Sequence, residues 1–126
     1  MPMMPRPLLG PMTRSVCEDG INREAAGVAF IKSKLRLQSN QREAWRKMED
    51  AVQPAVDRLH AACDRLPADG SARPSPPDIV DAMEDQLSAR AEFLKAVREP
   101  LRALFETLSP EQRMALEPPF PPPYPL

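Results

Sequence analysis

Glycine is scarce in this chain, with 4 among 126 residues, and aromatic side chains make up only 5% of it. Sheets draw on aromatic and β-branched residues, so the shortage points to an all-α protein. No stretch approaches the ~18–20 apolar residues that a membrane-spanning helix needs. Strong charge of either sign is missing too. A formal net charge of -1 and a pI near 5.9 leave no broad cationic footprint for nucleic acid. There is no glycine-rich phosphate loop, and a single histidine, His60, provides no Ser–His–Asp or Cys–His arrangement. Asp81, Glu84 and Asp85 stand at helical spacing, but charged helix faces do so routinely. The chain therefore reads as neither an enzyme nor a cofactor carrier. At 126 residues it is one domain, and part of that length is ill suited to a core, so association with a second copy is an expected way to cover apolar surface.

What is present in excess is proline, 17 residues gathered at the two ends and in one internal linker. Residues 1–18 are Met- and Pro-rich and read as extended. The start, Met1 to Pro7, has no apolar core of the kind a signal peptide carries, which taken alone points to the cytoplasm. Residues 118–126 read as an extended proline tail, suited to an aromatic groove in a partner or to an arm packed on its own domain through Phe120 and Tyr124.

Between the ends, residues 19–117 hold four expected helices, at about 22–36, 39–66, 78–107 and 110–116. In the first, Asn22 is the expected N-cap, and Ile21, Ala25, Val28, Ile31 and Leu35 share one face. The second is the clearest: Trp45, Met48, Val52, Val56, Leu59, Cys63 and Leu66 keep to steps of three and four. Pro54 falls inside it and is expected to bend rather than end it, as is Pro100 in the third. Residues 67–77 are a linker of turn formers. The third helix carries a main stripe from Val80, Met83, Leu87, Ala91 and Leu94 to Val97, Leu101, Leu104 and Leu108. A second row, Ile79, Ala82, Phe93 and Ala96, widens the apolar face, and a helix apolar on two sides contacts two partners, the second of which could be another copy. Leu37 to Asn40 is too short for anything but an antiparallel hairpin between the first two helices.

Cys17 and Cys63 are the only cysteines. In an antiparallel pair, facing residues have numbers that add to twice that of the turn, and these two very nearly do for a turn near residue 39. A disulfide closing the hairpin is expected, and with it an oxidising compartment. The alternative is a buried thiol at Cys63 and an unattached one at Cys17, just before the first helix.

One segment occurs twice. Leu37-Gln38-Ser39-Asn40-Gln41-Arg42-Glu43-Ala44-Trp45 and Leu108-Ser109-Pro110-Glu111-Gln112-Arg113-Met114-Ala115-Leu116 both read L-x-x-x-Q-R-x-A-Φ. In the second, Ser109 is an N-cap, Pro110 fits the first helical position, and Gln112 can reach back to the cap's N–H. By themselves these are two good helix starts. Two copies, each opening a helix, with a cysteine pair around the hairpin, resemble the LTXXQ-motif family, the Spy/CpxP-like periplasmic proteins. Ser109 replaces Thr in the second motif, and Gln38 stands where Thr would be in the first. The resemblance implies a Spy-like four-helix subunit that forms a homodimer through its long helices. It also implies a periplasmic protein that holds unfolded or stress-related protein clients without ATP. Relatives of the same shape bind or sense metals. In this chain Met1, Met3, Met4 and Met12 could offer soft thioethers to Cu(I), with Cys17 lost as a ligand if bridged; the plainer reading is a Met-rich tail that binds nothing.

Lys32, Lys34, Arg36, Arg42, Arg46 and Lys47 surround the hairpin tip, opposed by Glu43. With Trp45 they form the candidate client-binding surface, since clustered cations speed encounter with acidic partners. The plainer reading is a solvated helix end whose cations match the macrodipole.

Overall fold

A computed structural model describes residues 13–116. Four helices follow one another: α1 Arg14–Leu35, α2 Ser39–Asp64, α3 Pro76–Thr107 and α4 Pro110–Leu116. No strand occurs among the described residues, and none of these helices is long and apolar enough to cross a membrane. The all-α hairpin plus long third and short fourth helix is as the sequence predicts. Both α2 and α3 run on through their prolines, Pro54 and Pro100.

Three boundaries differ from expectation. α1 begins at Arg14, not at Asn22, and its N-cap is Thr13, whose hydroxyl accepts from the Val16 N–H. The last proline of the N-terminal stretch is Pro11, and nothing after it opposes a helix. The first turn is also tied to the end of α2. The Arg14 N–H donates to the Pro67 carbonyl at 3.0 Å, and its guanidinium to the Leu66 carbonyl at 3.2 Å. Cys17 is therefore inside the helix rather than before it. α2 ends at Asp64, two residues short of Leu66. α3 starts early, at Pro76: Ser75 caps it by accepting from the Asp78 N–H, and prolines fit a first turn whose N–H groups have no helical partner.

α3 packs antiparallel along α2. Trp45 and Met48 of α2 share a cluster with Leu104 and Leu108, while Leu59 and Ala62 meet Ala89 at the other end. The inner face of α3 is its second row, not the main stripe. Ala82, Ala89 and Phe93 turn inward, whereas Val80, Met83, Leu87, Leu94 and Leu101 point outward. Only the C-terminal part of the main stripe, Val97, Leu104 and Leu108, faces α2. Small residues decide this: Ala62 and Ala89 are both essentially fully buried and let the two helices approach closely.

α1 touches the rest mainly at its ends. Leu35 and Ile31 enter the cluster at the tip, and Ile21 with Cys17 joins those at the far end, but every residue from 22 to 30 is exposed. Ala25 and Val28, expected on a packed face, are thus in the open stretch. Cross-helix polar contacts hold the flanks: His60 Nδ1 is in hydrogen-bond contact with Glu18 at 2.7 Å, and Arg90 forms an ion pair with Glu24 at 2.7 Å. Ser15 donates to the Asp69 carboxylate at 2.7 Å, fastening the linker, and the Thr13 and Ser15 hydroxyls hold that carboxyl below its usual range.

Candidate functional site

The two motif copies meet. Gln41 and Gln112, separated by 71 residues in sequence, form a reciprocal amide pair in which each Nε2 donates to the other's Oε1 at 2.9 Å. Each amide does two further things. The Gln41 Oε1 accepts from the Gln38 N–H at 2.9 Å, and the Gln112 Oε1 from the Ser109 N–H at 2.8 Å, so each starts its own helix. The second Nε2 proton of Gln41 reaches the Thr107 carbonyl at the end of α3, and that of Gln112 reaches the Leu35 carbonyl at the end of α1. Helix ends leave carbonyls without partners, so each glutamine closes the helix that precedes the other motif. Reversing either amide would set oxygen against oxygen at these carbonyls, which fixes the orientation.

Of the remaining motif positions the leucines correspond, while the two arginines make different contacts. Leu37 and Leu108, each just before its helix, are buried in one cluster with Leu35, Trp45, Met48 and Leu104. Fully burying such side chains is worth about 2 kcal/mol each. Ala44 and Leu116 pack on the same cluster. Arg42 donates to the Ser39 hydroxyl at 3.2 Å, and Arg113 lies 4.6 Å over the Phe105 ring while donating to that residue's carbonyl. Ser109 completes the second copy by accepting from the Gln112 N–H at 3.2 Å.

Around this clasp lies the tip. Arg36 caps α1 in the left-handed conformation at φ 50°, and Lys34, Arg36, Arg42, Arg46 and Lys47 are exposed. Two of the cations have acidic neighbours. Lys47 lies 3.8 Å from Glu43, and Lys32 3.6 Å from Glu49, which sequence inspection had not set against it. Trp45 is corrected: at 5% exposure it belongs to the core, with Lys32 standing 5.8 Å above its ring, and it offers no surface to a partner. Its place among apolar neighbours is what its period on α2 already implied. The exposed apolar groups near the tip are instead Phe30, Phe105 and Met114. Phe30, at 67% exposure, lies between the stripe positions of α1, where periodicity carries no signal for it.

At the opposite end Cys17 and Cys63 form the expected disulfide, with Cα atoms 5.5 Å apart. Beside it Asp85 is buried on α3 and takes Arg58 at 2.7 Å and Arg65 at 3.2 Å. The Asp85 carboxylate pushes the Arg58 guanidinium above its usual range. In sequence Asp85 is indistinguishable from the solvated acids beside it. Among the described residues no group of three or more His, Cys, Asp or Glu could hold a metal ion. Met1, Met3, Met4 and Met12 lie outside the described residues, as do 117–126.

A family model described as LTXXQ motif family protein matches residues 23–118, which takes in both copies of the repeated segment. No curated protein and no solved structure matches the chain.

Proposed function

The chain belongs to the LTXXQ motif family, and from that membership we propose that it is a non-catalytic, ATP-independent periplasmic chaperone for unfolded protein clients. The observation that carries the reading is the tip. Exposed Phe30 shares a groove with Lys34, Phe105 lies under Arg113, and Arg36, Arg42 and Arg46 are exposed on the same frame pinned by the amide clasp. Apolar groups interleaved with cations suit loose contact with unfolded, acidic segments, the charges governing encounter and the rings residence. The disulfide supports an oxidising compartment. Light scattering of an aggregating unfolded client tests this. At equimolar protein, aggregation is suppressed. In Arg36→Glu/Arg46→Glu the client on-rate falls about tenfold. Since both side chains are exposed, the melting temperature should stay put. No suppression even at excess sinks the reading.

The homodimer belongs to the same proposal. Val80, Leu87, Leu94 and Leu101 recur every seven residues along the outward side of α3, and Leu87 is 66% exposed. A strict seven-residue repeat is what a second helix packs against. Leu87→Glu/Leu94→Glu is expected to halve the mass seen by sedimentation equilibrium and leave helicity unchanged. A monomeric native protein would remove the dimer from the proposal. The alternative, a metal-binding or metal-sensing accessory of the same fold, draws no support from the described residues.

A further inference from the structure

Beside the tip, α1 and α4 leave a groove of about 230 Å³ between Gly27, Phe30, Ile31 and Leu35 on one side and Ala115 and Leu116 on the other. Its lining is almost wholly apolar, and Lys34 stands at its edge. The described chain reaches this groove at Leu116, which is itself one of its walls. The sequence then continues as Glu117-Pro118-Pro119-Phe120-Pro121-Pro122-Pro123-Tyr124-Pro125-Leu126. We propose that this groove is the seat of the chain's own proline segment, residues 117–126, with the Phe120 ring filling it.

Reach, volume, conformation and charge argue for this occupant. Phe120 is four residues past Leu116, about 12 Å in polyproline geometry. Gly27 lies eight residues back from Leu35, also about 12 Å along the helix, so the ring reaches the whole groove. The groove is wide enough for one aromatic ring. A proline-rich segment loses little conformational freedom on docking, because its backbone already favours the extended form. Lys34 has no ion pair among the described residues and lies where Glu117, next to Leu116 in the chain, brings a carboxylate. Gly27 contributes the open floor: a Cβ built on it meets nothing within 4 Å.

This inference competes with the chaperone reading for Phe30, one of the groove's walls, but not for Phe105 and Met114, and its test uses the full chain by NMR. Among residues 118–126 only Phe120, Tyr124 and Leu126 carry amide protons. A docked segment gives the Phe120 amide an order parameter near 0.85, as for rigid backbone, and ring NOEs to the Ile31 and Leu35 methyls. Gly27→Leu fills the groove from the domain side. Leucine suits a helix interior better than glycine, so the fold is kept. In that variant the Phe120 order parameter drops below about 0.6 and the NOEs vanish, while the α2 and α3 amides stay in place. Phe120→Ala releases Tyr124 and Leu126 in the same way. A freely moving Phe120 in the unaltered protein overturns the proposal. So do NOEs indifferent to Gly27→Leu, and NOEs arising only between differently labelled copies. If Phe120 is free and an unfolded client broadens Phe30 instead, the groove belongs to clients.

Discussion

Replacing Cys17 and Cys63 together by alanine is expected to destabilise the protein by about 4 kcal/mol, the entropy of closing a loop of this length. Few single features weigh as much here, because α1 is intrinsically the weakest long helix. Gly20 and Gly27 lie inside it, each costing about 1 kcal/mol against alanine, and neither gains packing from the close approach it permits. Its residues from 22 to 30 are exposed. What holds its N-terminal half is Ile21, the Glu18–His60 and Glu24–Arg90 pairs, the ties from Arg14 and Ser15, and the disulfide. Partly exposed pairs are worth less than about 1 kcal/mol each. The loss should therefore be unevenly distributed. Hydrogen exchange of the first half of α1 is expected to approach that of an unstructured segment, while α2–α3 amides that open only with the whole domain speed up roughly a thousandfold, the equivalent of about 4 kcal/mol. A urea curve shifted by less than about 1 kcal/mol, with uniform exchange, would show that the other contacts suffice. Reduction with dithiothreitol should reproduce the variant once Cys63, which has no exposed surface, becomes accessible.

How much of this was legible in the sequence depends on how local each cause is. The packed face of α2 is written in steps of three and four from Trp45 to Leu66, and the structure keeps it. The disulfide follows from hairpin register alone, so an error of eight residues in the start of α1 left it standing. That error came from composition: four prolines before residue 12 drew the extended reading past Thr13, where a cap and contacts to Leu66 and Pro67 begin a helix. Which face of α3 turns inward is not legible for a different reason. Periodicity ranks side chains by size and polarity, and both favour the row of Leu87 and Leu94. Close packing instead selected Ala82 and Ala89, together with an aspartate that meets Arg58 of α2 and Arg65 just past its end. No single-chain signal tells Asp85 from Glu84. Trp45 was read both as a stripe position and as a contact residue, and only the first reading respects its period. The motif glutamines were legible as caps, since the cap bond spans three residues, but their meeting is tertiary.

That meeting makes the last and sharpest expectation. Gln41→Ala removes the closure of the Thr107 carbonyl, the cap on the Gln38 N–H and both bonds to Gln112, in a site where Gln41 is 5% exposed. Buried groups left without partners cost about 1–3 kcal/mol apiece, partly recovered where water enters, so a loss of about 3 kcal/mol is expected. Gln112→Ala should cost about the same, through the Leu35 carbonyl and the Ser109 N–H. The double variant should cost less than the two together by about 1.5 kcal/mol, because their mutual bonds can be lost only once. Additive losses would mean that the two motifs act as separate caps. Gln41→Glu sharpens the test. Its second oxygen faces the Thr107 carbonyl, where Gln41 places a donor, so the folded state favours the protonated acid. The folded pKa of that glutamate is then raised above the ordinary value of about 4.3. Such a group binds its proton more tightly when folded. Relative to Gln41→Ala, the variant is therefore best off below about pH 4.3 and weakens as pH rises through the folded pKa. Urea midpoints of this variant that fall with rising pH relative to those of Gln41→Ala, in which Asp69 and the other carboxylates contribute equally, would identify the shared amide pair as the joint between the two halves of the protein. Parallel profiles for the two would show that the clasp tolerates a carboxylate and that each motif closes only its own helix.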